Sequence, residues 1–205
     1  MIAVIDYGIG NVCSIVNMLK KLGVTASLVS DIEGIYKAEK IILPGVGSFD
    51  SGMQKLRASG LIEVIKKHAI DLEKPLLGIC LGMQMLGRRS DEGKESGLGF
   101  IPFENKRFSF KEENGLKIPH MGWDITDVRM KEDPLVSGLE KNPRYYFVHS
   151  YHAVCDSETN ILMSCEYGYN FTAAVKHKNI YGVQFHPEKS HKFGMALLDN
   201  FARRV

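Results

Sequence analysis

Apolar residues alternate between short unbroken runs and helical spacing, and that alternation predicts the first half of the fold. Ile2 to Ile5 is an apolar run of strand length. Val12, Ile15, Val16, Leu19 and Leu22 then share one face of a helix, with Gly23 placed to close it. Ala26 to Val29 reads as a second strand and Lys40 to Leu43 as a third. One helix is predicted from about Ser48 to Leu56 and an amphipathic one from Leu61 to Ile70. Leu76 to Ile79, opened by Pro75, is a further buried strand, and Met83, Met85 and Leu86 suit a helix behind it. Strand and helix alternate to about Arg89, which predicts parallel βαβ units in a doubly wound sheet flanked by helices.

From Ser90 the rhythm changes. Gly97 to Phe110, Leu116 to Val128, Arg144 to Val148, Ile161 to Cys165, Phe171 to Lys176 and Ile180 to Phe185 are strand-like and separated by polar turns. They predict antiparallel additions to the sheet in the C-terminal half. A last helix is expected from about His191 to Arg203, with Phe193, Leu197, Leu198 and Phe201 on its apolar side. Ser90 to Glu95 reads as a solvated charged loop without a function of its own. No composition shift or linker divides the chain, so one domain over residues 1–205 is expected.

Composition narrows the partners more than the fold. With 44% hydrophobic and 24% charged residues, the chain can bury a full core. A formal charge of +2 gives no electrostatic case for nucleic acid or an acidic membrane. The four cysteines, Cys13, Cys80, Cys155 and Cys165, form no C-x-x-C pair and no zinc-like spacing. That suits a reducing compartment with at most one working thiol; Cys13, Cys155 and Cys165 are expected to be buried small hydrophobes. Met1 to Ile5 lacks the basic flank of a signal peptide, and no apolar stretch approaches the ~20 residues that span a bilayer. A soluble, cytoplasmic protein is the expectation. His149 and His152 flank a strand end and lack a third ligand at suitable spacing, which favours structural roles.

Three stretches carry candidate chemistry. Gly78-Ile79-Cys80-Leu81-Gly82 has the pattern of a nucleophile elbow, G-x-S-x-G, with cysteine in place of serine. Such a turn needs glycines to remove crowding Cβ atoms and puts Cys80 at the amino end of a helix, where the dipole favours a thiolate. A buried structural cysteine on an ordinary turn is the competing reading of these residues alone. Pro44-Gly45-Val46-Gly47 ends the third strand in a turn whose free N–H groups suit a developing oxyanion. His186-Pro187-Glu188 follows the last strand, and side chains two apart on a strand lie in one line. An imidazole there serves as base and then acid, with a carboxylate to fix its tautomer. Asp6-Tyr7-Gly8-Ile9-Gly10 tempts toward a dinucleotide site, but position 13 is Cys13 where the third glycine belongs, so a tight turn feeding a helix is the better reading.

Taken in chain order, these motifs resemble the class I (triad-type) glutamine amidotransferases and, more narrowly, the glutaminase subunits of imidazole glycerol phosphate synthase. The resemblance covers nearly the full length. It also rests on Pro119-His120-Met121-Gly122-Trp123, Tyr146-Phe147-Val148-His149-Ser150-Tyr151 and Phe171-Thr172-Ala173-Ala174-Val175. It implies Cys80 as nucleophile, His186 as base and acid, and Glu188 as its orienting carboxylate. It implies an oxyanion hole from Val46, Gly47 and Leu81, and glutamine binding by Gly47, Gln84, Ser150 and Tyr151. No cofactor or metal is implied. The resemblance further implies a cyclase (barrel) subunit as partner, facing Asn11, Met121, Gly122 and Trp123, to which ammonia passes. Two departures fall on that face: Asp124 where the family usually has asparagine, and Val12-Cys13-Ser14 where Leu-x-Ser is common. They leave open a paralogue that feeds another synthase, such as a sugar-amidinating one. A stand-alone cysteine hydrolase and a non-catalytic binding module are the other function classes.

Overall fold

The computed structural model describes residues 1–110 and 115–205. The first strands are β1 (Ile2–Ile5), β2 (Ala26–Val29), β3 (Lys40–Gly45) and β4 (Leu76–Cys80). They pair in parallel in the order β2-β1-β3-β4. Between them run α1 (Val12–Lys21), α2 (Ile32–Lys37), α3 (Phe49–Ala58) and α4 (Ile62–Lys66), with α5 (Leu81–Leu86) behind β4. The predicted helix from Leu61 to Ile70 is α4 followed by a π-helical turn, Lys67–Asp71. The helix α2 escaped the apolar spacing; Asp31 starts it by accepting the Gly34 N–H at 2.8 Å.

The second half adds β5 (Phe103–Arg107), β6 (His120–Val128), β7 (Arg144–His149), β8 (Tyr151–Cys155), β9 (Ile161–Tyr167), β10 (Tyr169–His177) and β11 (Ile180–Val183). The sheet runs β2-β1-β3-β4-β11-β10-β9-β6-β7, and β8 pairs with β5 and β10. The antiparallel additions are there, with one difference. β11 is antiparallel to β10 but parallel to β4, with Val183 opposite Ile79. The chain thus returns from its far edge to the centre of the sheet, and the last strand ends beside Cys80.

Both faces of the sheet are covered. Ala3, Ile5, Ile41 and Leu43 pack with α2 to α5 on one side. Ile2, Val4, Ile42 and Leu77 pack on the other with Ile15 and Leu19 of α1 and with α6 (His191–Arg203), through Leu197, Leu198 and Phe201. Strands buried on both faces read as continuous apolar runs, which is how β1 and β3 look in sequence. Cys165 is buried and Cys155 partly so, but Cys13 is exposed, on the first turn of α1 and outside its apolar face.

Candidate active site

The carboxyl ends of three neighbouring parallel strands define the site. Gly45 of β3 is in register with Cys80 of β4, and β11 closes the other side. Cys80 holds φ 55° and ψ −112°, in the left-handed half of backbone space that a side chain rarely enters. The flanking glycines make this turn feasible. A Cβ on Gly82 would stand 1.8 Å from the Leu43 carbonyl oxygen, and one on Gly78 would stand 2.7 Å from the Met83 nitrogen. The elbow reading of the motif is therefore the one the backbone adopts, and Leu81 opens α5 with its N–H at the free end of the helix.

The turn after β3 is braced from below. The Tyr7 hydroxyl donates to the Pro44 carbonyl at 2.7 Å, and a Cβ on Gly10 would stand 3.3 Å from Pro44 Cβ. The Gly8-Ile9-Gly10 turn is thus packing for the loop beside the cysteine. Burial, with Cys80 charge second, pushes the Tyr7 phenol far above its ordinary range, so it stays a donor. Gly47 sits at φ 98°, and among the described residues neither the Val46 nor the Gly47 N–H donates to another protein group.

His186 and Glu188 meet through a tight turn. β11 ends at Val183, and Pro187–Lys189 forms a 3-10 turn that brings Glu188 Oε1 to 2.8 Å from His186 Nδ1. The strand alignment expected from their spacing is replaced by this turn, because the chain bends after Phe185 to meet α6. Ser190 locks it by donating to the His186 carbonyl at 2.6 Å and accepting the Tyr146 N–H at 3.0 Å. Burial works against charge on His186, but the Cys80 sulfur and then the Glu188 carboxylate outweigh it and hold the ring well above its ordinary range. His186 Nε2 is left without a hydrogen-bond partner among the described residues. The arrangement supplies a protonated ring beside the Cys80 sulfur, with its Nε2–H free for a leaving group.

A cleft of about 430 Å³ opens over these groups. Of the residues singled out in the sequence, Val46, Gly47, Cys80, Leu81, Gln84, Ser150, Tyr151 and His186 line it. Glu188 stands behind His186. Gln84 Nε2 donates to Gln184 Oε1 at 3.0 Å and to the Tyr151 carbonyl at 3.3 Å, which ties α5 to the far wall.

Sequence reasoning missed Glu92. It lines the cleft, and its Oε2 accepts the Phe49 N–H at 2.7 Å at the start of α3. Asp50 in turn accepts the backbone N–H groups of Lys94 and Glu95. The segment Ser90 to Glu95 is therefore a strap over the loop next to Cys80, not a free charged loop. The signal was an acidic side chain within one helix length of the elbow, which charge counting alone does not separate from solvent-facing residues. His149, Pro119, Val148 and Lys189 also line the cleft. Met121 is 62% exposed, and Asn11 is exposed as well. Trp123 is half-buried, its ring stacked on His191 at 5.4 Å. Met121 pairs with the cleft residue Val148 across β6 and β7, so its exposed side chain adjoins the cleft. His149 and His152 are buried, and no metal-binding group of three occurs among the described residues.

The family described as glutamine amidotransferase class-I matches residues 3–205. The chain belongs to the class-I glutamine amidotransferases. Imidazole glycerol phosphate synthase subunit HisH 2 of Methanococcus maripaludis is 54% identical over 205 residues, covering 100% of both chains. The subunit of the same name from Pseudomonas aeruginosa is 52% identical, again over 100% of both. Among solved structures, PurLQS from Thermotoga maritima shares the amidotransferase fold at a TM-score of 0.73, with 20% identity over 98% of this chain and 96% of that one. A glutamine amidotransferase from the same organism gives a TM-score of 0.70 at 13% identity, over 99% of this chain and 96% of that one.

Proposed function

We propose that this amidotransferase hydrolyses glutamine to glutamate and ammonia at Cys80 and passes the ammonia to a cyclase barrel subunit. There it would complete imidazole glycerol phosphate and aminoimidazole carboxamide ribotide, in histidine biosynthesis in the cytoplasm. The whole chain, residues 1–205, acts as one glutaminase domain in a heterodimer. The observation that carries this reading is the convergence of Cys80, the His186–Glu188 pair and the Val46–Gly47 turn on one cleft.

The steps follow from the positions. The Cys80 sulfur attacks the side-chain amide carbon of glutamine, and the carbonyl electrons move onto oxygen. The N–H groups of Leu81 and of the Val46–Gly47 turn receive that oxyanion; one such donor is worth about 10²–10³ in rate. His186 gives its proton to the amide nitrogen, ammonia leaves, and a thioester remains on Cys80. The neutral ring then takes a proton from water, whose oxygen displaces the sulfur and releases glutamate. Glu188 keeps Nδ1–H in place, so that Nε2 does both transfers. Gln84, Ser150 and Tyr151 hold the glutamine backbone, and Glu92 faces its ammonium group with the oxygen not committed to Phe49.

The partner docks on Asn11 and on Met121 to Trp123, where the exposed Met121 side chain adjoins the cleft. Asp124 on the same strand supports a second reading, in which the acceptor is another barrel synthase, such as one that amidinates a sugar. Copurification of the partner from the native cell separates the two. The function itself is tested in the complex with Cys80→Ala. Synthesis from glutamine should vanish while synthesis from added ammonium salts persists. Loss of both activities would mean that Cys80 serves assembly and not hydrolysis.

A further inference from the structure

A chain of hydrogen bonds runs from the outer face of β6 to the wall of the cleft, and its protons do not add up for neutral rings. Asp124 Oδ2 lies 2.7 Å from His120 Nε2, and His120 Nδ1 lies 3.1 Å from His149 Nε2. His149 Nδ1 lies 2.7 Å from the Tyr151 carbonyl oxygen. Both imidazoles are buried, at 1% and 6% exposure, and His120 is sandwiched between the rings of Phe147 at 4.9 Å and Tyr167 at 4.0 Å. The Asp124 side chain is 41% exposed. Tyr151 and His149 both line the cleft, and the same carbonyl also receives Gln84.

The carbonyl end fixes the direction. A carbonyl oxygen only accepts, so His149 carries its proton on Nδ1. Burial, with the neighbouring His120, His152 and His186 adding to it, pushes His149 down to about 3, so the ring has one proton and a bare Nε2. His120 must then donate from Nδ1. Its Nε2 faces a carboxylate oxygen, which also only accepts. Two neutral rings bring two N–H groups to three hydrogen bonds. Without a third proton, a lone pair on Nε2 would face one on Oδ2 at 2.7 Å.

We infer that His120 carries this third proton as an imidazolium paired with Asp124, and that the two act as positioning residues, holding His149 in the tautomer that pins the Tyr151 carbonyl at the cleft wall. Burial pulls His120 below its ordinary range and is opposed, but not outweighed, by the hydrogen bond and charge of Asp124. It is the 2.7 Å contact between Nε2 and Oδ2, where neither atom could donate if the ring were neutral, that calls for the proton. The other titratable neighbours do not supply the proton. Cys165 of β9 is pushed up to about 12, first by burial and then by Asp124. The Tyr167 hydroxyl is spent on the Lys117 carbonyl at 2.8 Å, and His152 of β8 is turned to Tyr169, at 2.9 Å. His186 lies beyond His149 and makes its own pair with Glu188. An asparagine at position 124 would change the count: its amide would donate to a bare Nε2, and the chain would close with no charge.

Nitrogen-resolved NMR of the histidine rings in the full chain reads this directly. At neutral pH the wild type should show protons on both ring nitrogens of His120 and on Nδ1 alone of His149. Asp124→Asn should reduce His120 to Nδ1–H and leave His149 unchanged. A single ring proton on His120 in the wild type, identical His120 spectra in both proteins, or an Nε2–H form of His149 would each overturn the inference. Kinetics in the complex give a second reading that rests on the glutaminase proposal. The wild-type KM for glutamine should rise about three- to tenfold as rising pH strips the proton. In Asp124→Asn that pH dependence should be absent; equal slopes in the two proteins would count against positioning. The NMR result needs no turnover, so failure of the glutaminase reading and failure of this one are distinguishable.

Discussion

Glu188→Gln keeps the shape behind His186 and removes its charge. Oε1 stands 2.8 Å from Nδ1, and both side chains are 2% exposed, so solvent screens little of the interaction. Burial already pulls the ring toward neutrality, and Glu188 is one of two groups that oppose it. A hydrogen bond to a charged group contributes about 1.5–3 kcal/mol, or roughly one to two powers of ten in proton affinity or rate. NMR titration of His186 in the variant should therefore move down by about one pH unit or more. Alkylation of Cys80 by iodoacetamide near neutral pH should slow correspondingly. The stability difference has a defined sign. His186 has a raised proton affinity in the fold, so its charged form stabilises fully below the unfolded value near 6.5 and stops doing so as pH rises through the folded value. The variant should be most destabilised in mildly acidic buffer, and the gap to wild type should close in alkaline buffer. An unshifted His186 titration together with an alkylation rate within about twofold of wild type would refute the reasoning.

The elbow and the strap are open to similar tests. Gly82→Ala places a methyl group 1.8 Å from the Leu43 oxygen and must push β3 from the elbow. A cost of about 3 kcal/mol or more is expected, lowering Tm by roughly 6–12 °C; a melting curve within about 2 °C of wild type would contradict the close approach. Glu92→Gln can still accept the Phe49 N–H but loses its charge toward the substrate ammonium. In the complex, the KM for glutamine should rise about tenfold with kcat nearly unchanged, and an equal loss in kcat alone would argue against ground-state binding.

The first half of the chain was legible because its instructions are local. Ile2 to Ile5 and Ile41 to Leu43 are apolar on both faces, and each is followed by a turn and helical spacing. Cys80 was legible because the elbow needs Gly78 and Gly82 where the sequence has them. The second half hides its partners. Nothing inside Ile180 to Val183 tells that it lies between a parallel and an antiparallel neighbour; that depends on Asn179 and the chain before it delivering the strand to β4. Tyr151 to Cys155 was not seen as a strand because Ser150 is its sole separator from β7. Glu92 reads like its charged neighbours until the fold lays it against Phe49. The His120–His149 contact is a register pair across β6 and β7, so it exists only once those strands are aligned.

Labelling by a glutamine-shaped diazoketone, followed by peptide mass spectrometry, tests the central claim most directly. Four free thiols compete for the reagent, and Cys13 is the exposed one. If Cys80 is the nucleophile activated by His186, the adduct forms on Cys80 alone and is lost in His186→Ala. An unlabelled Cys80, or an adduct that follows exposure to Cys13, would contradict the account.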